Sequence, residues 1–173
     1  SSVTLLLAVF TVGIGIGSML CARVSGKHVE MGLVPFGSIG LTLFGLDLYF
    51  ASPVGLPGTT PHELLGLLSV PAVWHVLFDL MMLGAFGGFF IVPLYALVQL
   101  RSSPEHRARI IAGNNILNAL FMVVGALGAA SLLSAGLSIP ALFGLAALLN
   151  AVVAIYIYGL VPEFLLRFIA WLL

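Results

Sequence analysis

Residues 72–100 read AVWHVLFDLMMLGAFGGFFIVPLYALVQL, and this stretch decides the fold class. It contains one carboxylate, Asp79, and neither lysine nor arginine. A helix that crosses the roughly 30 Å hydrocarbon core of a bilayer needs about 20 mostly apolar residues. Because residues 72–100 exceed that length, they predict a long transmembrane helix that tilts, or that kinks at Pro93.

The rest of the chain has the same apolar character. Hydrophobic residues make up 61% of its 173 residues and charged residues only 7%, and the mean hydropathy is +1.23. A soluble domain has about 25% charged residues, because its surface faces water. The formal net charge is zero, so the basic surface that nucleic-acid binding requires is missing. The composition predicts an all-α membrane protein whose main partner is the phospholipid bilayer.

Four further apolar stretches have the length of a membrane span. With residues 72–100 they predict a helical bundle over residues 1–160, with spans at about 3–22, 31–51, 72–100, 110–135 and 140–160. The proline-rich residues 52–71 interrupt the bundle, although a short helix at His62–Ser69 fits the pattern. Residues 161–173 predict an interfacial helix, or an elbow toward a missing downstream domain. The chain opens inside an apolar run without a methionine, which predicts a piece of a longer protein.

The basic residues fix the predicted orientation. When the connections are numbered alternately, all six basic residues fall on one side: Arg23, Lys27, Arg101, Arg107, Arg109 and Arg167. Connections rich in Lys and Arg remain in the cytoplasm. The pattern therefore predicts that the N-terminus of this chain lies outside and its C-terminus in the cytoplasm.

Small residues indicate where the helices pack. Helices in lipid associate by close backbone contact at Gly, Ala and Ser. Gly13 and Gly17 form a GxxxG pair on the first span, and Gly84 and Gly88 form another on the third. Both pairs predict contact faces within the bundle.

Two carboxylates, Asp47 and Asp79, lie within the predicted spans, in the third of the membrane farther from the basic side. A charge inside a bilayer is costly, so such residues usually face a cavity or a partner. His75 precedes Asp79 by one helical turn and can share a hydrogen bond or a proton with it. These residues are therefore candidates for substrate binding. The alternative is that both aspartates cap helices or make structural hydrogen bonds.

The fourth span carries two amides on one face. Asn114 and Asn118 are four residues apart, and their amides offer donors and acceptors without net charge. They are candidates for binding a polar head group, and the alternative is that they hydrogen-bond a neighbouring helix. Asn150, alone on the fifth span, fits the structural alternative better.

The sequence lacks the motifs of an enzyme or a cofactor protein. It has no GxSxG, no HExxH and no cysteine cluster, and its single Cys21 cannot form an internal disulfide. We therefore expect no catalytic residue, no metal site and no cofactor. An intramembrane aspartyl protease would need Asp47 and Asp79 to face each other, and the residues around them do not favour that arrangement.

Several motifs resemble the major facilitator superfamily. Residues 17–27 are similar to its loop signature, with Cys21 and Ala22 where the signature has an acid. Residues 105–121 resemble the bacterial lysophospholipid transporter branch more specifically. Residues 101–109 are similar to the Pro-Glu-x-x-Arg loop found later in each major facilitator half. Further stretches are similar to the lysophospholipid branch: residues 32–37, 91–96 and 160–168. In fused members of this branch, an acyltransferase follows the transporter.

The resemblance covers nearly the whole chain and implies spans eight to twelve of a twelve-helix transporter in the bacterial inner membrane. It implies that lysophospholipid moves inward for re-acylation and that an N-terminal transporter half is missing. Two alternatives stay open: a major facilitator half that carries another small solute, and a non-transporting anchor for a fused acyltransferase. On either transporter hypothesis, the cytoplasmic-loop residues are expected to act in gating: Arg23, Glu105 and Arg107. The alternative for Glu105 and Arg107 is a solvated basic loop that only sets the topology.

A lysophospholipid needs an apolar wall beside a few polar anchors. We expect Asp79 to meet the head group from the outer side with support from Asp47, and Asn114 and Asn118 to receive it nearer the cytoplasm. Apolar residues below Asp79 and along the fourth span would contact the acyl chain: Met81, Met82, Leu83, Phe86, Phe121 and Met122.

The predicted orientation can be tested by labelling in intact cells. In a background without Cys21, a single cysteine at Thr59 should react with a membrane-impermeant thiol reagent from outside. A cysteine at Ser103 should react only after the membrane is permeabilised, because the positive-inside rule places it in the cytoplasm. Equal labelling of both positions from outside would contradict this topology.

Overall fold

The computed structural model describes residues 2–26, 30–51 and 70–173. These residues form six helices and no strand: α1 Ser2–Ser25, α2 Leu33–Ala51, α3 Pro71–Arg101, α4 Arg107–Ser134, α5 Ile139–Leu160 and α6 Glu163–Leu172. The helices α1 to α5 are long and apolar enough to cross a membrane. The predicted all-α fold with five candidate spans is confirmed. Lys27 and the predicted short helix at His62–Ser69 lie outside the described residues.

Helices α1 and α3 run parallel and touch through their backbones. A Cβ atom on Gly13 would collide with the Met81 carbonyl, and one on Gly17 with the Ala85 carbonyl. The glycines of α3 make the reciprocal contacts with α1. A Cβ on Gly84 would collide with the Phe10 carbonyl, and one on Gly88 would lie 2.6 Å from the Ser18 amide nitrogen. The two predicted GxxxG faces therefore pack against each other, as small residues allow in a membrane.

Helix α2 lies antiparallel to α3 and meets it through aromatic rings. Phe36 on α2 packs against Phe86 and Phe89 on α3, with ring centroids 5.1 and 5.3 Å apart. Phe44, two turns further along α2, stacks on Phe86 at 5.5 Å. The fully buried Leu33 adds to the same core. Helix α3 is thus held by glycine contacts on the α1 side and by aromatic contacts on the α2 side.

A polar network joins α2 to α5, which also run antiparallel. The Asn150 amide donates hydrogen bonds to the Ser38 carbonyl and to the Thr42 hydroxyl, both at 2.9 Å. The hydroxyls of Ser38 and Tyr158 are hydrogen-bonded at 2.6 Å. Asn150 therefore joins two helices, as its isolated position on α5 suggests.

Helix α4 packs least of the long helices, and none of its residues is buried. It is joined to α5 by a tight turn at residues 135–138. Gly136, with φ at +98°, donates to the Leu133 carbonyl, and Leu137 donates to the Leu132 carbonyl, both at 3.0 Å. This is a Schellman termination, which requires a left-handed residue that glycine supplies without strain.

The short helix α6 lies beside the start of α2. Trp171 packs on Phe36 with ring centroids 5.7 Å apart. Glu163 pairs with Arg101 at the end of α3, at 3.3 Å, and with Arg167 at 3.5 Å. The alternating helices gather the described basic residues at this end, which we call the basic end: Arg23, Arg101, Arg107, Arg109 and Arg167. The interfacial position of α6 remains a prediction.

The α1–α3 contact predicts a sharp difference between two glycines on one helix. Gly17→Ala should lower the free energy of unfolding by about 1–3 kcal/mol, because the new methyl overpacks against the α3 backbone. Gly15→Ala is the matched control, since no atom lies within 4 Å of its Cβ position. Thermal or denaturant unfolding of the purified protein in detergent measures both. Equal stability of the two variants would contradict backbone contact at Gly17.

Candidate functional site

A cluster of three ionisable side chains lies between α2 and α3, at the end opposite the basic end. His75 Nε2 is 3.0 Å from Asp47 Oδ2, within hydrogen-bond distance. The same nitrogen is 3.6 Å from Asp79 Oδ2. His75 and Asp79 share a face because they are one helical turn apart on α3, and the antiparallel packing of α2 brings Asp47 to them.

The three side chains differ strongly in exposure. The Asp79 side chain is 0% exposed, whereas those of Asp47 and His75 are each 49% exposed. Neither carboxylate oxygen of Asp79 has a hydrogen-bond partner among the described residues. A buried ionised carboxylate without a partner is energetically costly. A positive charge beside Asp79, either a proton or a cation, would relieve this cost.

The difference in exposure between Asp47 and Asp79 affects the substrate-binding roles predicted for them. About half of the Asp47 side chain is exposed, but none of the Asp79 side chain is exposed in this conformation. Direct contact between Asp79 and a head group, which stays a prediction, would require α2 or α3 to move. The two aspartates do come together at His75, an arrangement that the residues around them did not favour in the sequence.

A second polar group lines a groove between α3 and α4, nearer the basic end. The groove has a volume of about 570 Å³, and Asn114, Asn118 and Tyr95 provide its polar atoms. Its remaining lining is apolar: Phe90, Ile91, Leu94, Val98, Phe121 and Met122. The volume lies within the range of small-molecule sites. The structure thus brings the two candidate amides into one concave surface.

Tyr95 is a member of this site that the sequence did not single out. The Asn118 amide donates a 2.6 Å hydrogen bond to the Tyr95 hydroxyl, joining α4 to α3. Asn114 also lines the groove, and it is half-buried. The signal available in the sequence was weak, because a tyrosine near a predicted helix end is common at membrane interfaces.

The apolar wall differs in part from the expected one. Phe121 and Met122 line the groove as expected. Phe86 instead stacks in the α2–α3 aromatic core, and the backbone of Met81 faces Gly13. These two residues support the bundle, and the groove lies further along α3.

The predicted gating residues lie at the basic end. Arg23, Glu105 and Arg107 are exposed, and none of them is in an ion pair within the described ranges. The ion pairs at this end involve Arg101, Glu163 and Arg167 instead. The sequence did not reveal the Arg101–Glu163 pair, because 62 residues separate its partners. The gating roles stay predictions.

Comparisons with protein-family models, curated proteins and solved structures yield no match to this chain.

The exposure pattern predicts that Asp79 is not needed for folding. Asp79→Asn removes a buried charge and keeps the shape of the side chain, so Tm should stay the same or rise. The measurement is thermal unfolding in detergent and EDTA, which keeps stray cations from the cluster. Asn150→Leu serves as the contrasting variant, because it removes two interhelical hydrogen bonds and should lower Tm. A drop of more than about 4 °C in Asp79→Asn would instead assign Asp79 a structural role.

Proposed function

We propose that this chain is part of a membrane transporter that moves lysophospholipid across the bacterial inner membrane for re-acylation. It would form most of the C-terminal half of a major facilitator fold, with the basic end in the cytoplasm. The observation that carries the proposal is the groove between α3 and α4, whose polar atoms are concentrated at Tyr95, Asn114 and Asn118 within an apolar lining.

The chemistry of the groove suits a single-chain amphiphile. The Asn114 amide and the Tyr95–Asn118 pair would hydrogen-bond phosphate or glycerol oxygens, because amides and phenols provide both donors and acceptors. Phe121 and Met122 would lie along the acyl chain, and the flexible methionine suits a fluid ligand. A sugar would need many more polar contacts than this groove offers. These features favour a lipid over a polar solute.

The exposure of α4 is consistent with a binding partner on the side that faces away from α3 and α5. None of its residues is buried, although it carries Asn114 and Asn118. In the proposed transporter, the missing N-terminal half faces this helix and completes the path between the two halves. The loop residues Arg23, Glu105 and Arg107 would stabilise one state of the cytoplasmic gate.

The cluster at the opposite end would act on the outer side. Asp47, which is half-exposed, would attract the amine of an ethanolamine head group that arrives from outside. Asp79 lies behind it and would act through the electrostatic field of the cluster until the helices move. From this cluster, the substrate would move along α3 toward the groove at Asn118 and the cytoplasm.

The proposal predicts different effects for two asparagines that lie three residues apart on α4. In the full-length protein, Asn118→Ala should reduce lysophosphatidylethanolamine uptake by roughly two- to tenfold, because a ligand hydrogen bond and the Tyr95 contact are lost. Asn115→Ala is the matched control, since Asn115 is exposed on the same helix and does not line the groove. Uptake of a labelled lipid is measured in proteoliposomes that contain equal amounts of each folded variant.

The alternatives give other outcomes in the same assay. A carrier of another solute would show no lysophospholipid uptake even in the unchanged protein. An anchor for a fused acyltransferase would show no uptake and would keep its acyltransferase activity in the Asn118→Ala variant. Equal uptake by Asn118→Ala and Asn115→Ala would show that the groove does not bind the substrate.

A further inference from the structure

We propose that Asp47, His75 and Asp79 bind one divalent transition-metal cation, such as Zn²⁺, which joins α2 to α3 at the end opposite the basic end. The inference does not depend on the lysophospholipid proposal. The sequence spacing predicted no metal site, because one ligand comes from α2 and the other two lie on α3, 28 residues or more further along the chain. Only the packing of the two helices brings the three together.

The distances suit a shared ion. Ligand bonds to Zn²⁺ are about 2.0–2.2 Å, so two ligands of one ion are about 3–4 Å apart. His75 Nε2 is 3.0 Å from Asp47 Oδ2 and 3.6 Å from Asp79 Oδ2. All three ligand atoms lie within 4.8 Å of one another. A small rotation of the half-exposed Asp47 side chain would complete the set.

The condition of Asp79 is an independent reason to expect a ligand. Its carboxylate is fully buried, and neither oxygen has a hydrogen-bond partner in the part of the chain that the structure describes. Buried polar groups nearly always have such a partner, and an exception calls for a specific cause. His75 Nε2 faces the same carboxylate at 3.6 Å. A cation between these atoms would supply the missing interaction.

Charge and ligand type together indicate the class of ion. Two carboxylates and a neutral imidazole carry a charge of −2, which one divalent cation balances, and a neutral site is favoured inside a membrane. Imidazole nitrogen suits Zn²⁺ and other transition metals, whereas an all-oxygen site would suit Mg²⁺ or Ca²⁺. Binding needs a free lone pair on His75 Nε2, so an imidazolium would release one proton, whereas a neutral ring would carry its single N–H on Nδ1. The exposed sides of Asp47 and His75 leave the remaining coordination positions open to water.

The test uses the full-length protein in detergent, without an affinity tag and after treatment with EDTA to remove bound metal. Equilibrium dialysis with Zn²⁺ should give one bound ion per chain, and Tm should rise as Zn²⁺ is added, because the ion binds only the folded state. Co²⁺ bound in its place should show the visible absorption of a nitrogen- and oxygen-ligated ion. Asp79→Asn and His75→Gln should each weaken Zn²⁺ binding by at least about tenfold.

The matched control is His106→Gln, at the basic end, where the imidazole is hydrogen-bonded to Ser103. This variant should bind Zn²⁺ as the unchanged protein does. If Asp79→Asn fails to fold, the half-exposed His75→Gln variant decides the question. The proposal is overturned if the unchanged protein binds less than one Zn²⁺ per chain. It is equally overturned if the folded Asp79→Asn or His75→Gln variant binds Zn²⁺ with the same affinity as the unchanged protein. Either result would mean that the cluster does not hold the metal.

Discussion

The close backbone contact between α1 and α3 is the constraint on which the rest of this structure depends. Gly13 and Gly17 meet Met81 and Ala85, while Gly84 and Gly88 meet Phe10 and Ser18. Lipid gives helices little hydrophobic reason to associate, so close packing at small residues has to supply the attraction. Once α1 covers this face of α3, the aromatic side chains of α3 are directed to α2, and α2 in turn receives α5 through Asn150. The position of each of these helices follows from that first contact.

Polar residues within the spans fall into two groups with different consequences. Asn150, Ser38, Thr42 and Tyr158 satisfy one another and join α2 to α5. Asp79 has no hydrogen-bond partner among the described residues, although it is completely buried beside His75. The first group is explained by stability. The second carries an energetic cost that stability does not explain, and such costs are typical of sites that bind or transfer charge. This difference separates structural from functional polar residues more clearly than their depth in the membrane.

The two candidate sites lie toward opposite ends of α3, which links them physically. The cluster around His75 belongs to the α2–α3 pair, whereas the groove at Asn118 belongs to the α3–α4 pair. Helix α4 has no buried residue, whereas α2 and α3 each bury part of their surface. A transporter that changes conformation needs one firmly packed unit and one that shifts against it. The uneven packing of this bundle suits that requirement.

The sequence by itself determined the all-α fold, the five long apolar helices and the two glycine faces, because apolar length and small-residue spacing are local properties of one helix. It also placed His75 and Asp79 on one face, since they are a single turn apart. Tertiary structure alone decided that Asp47 joins them, that Tyr95 pairs with Asn118, and that Arg101 pairs with Glu163. These partners lie 23 to 62 residues apart in the chain. No helical periodicity relates positions on different helices, so only the packing of the helices determines which of them meet.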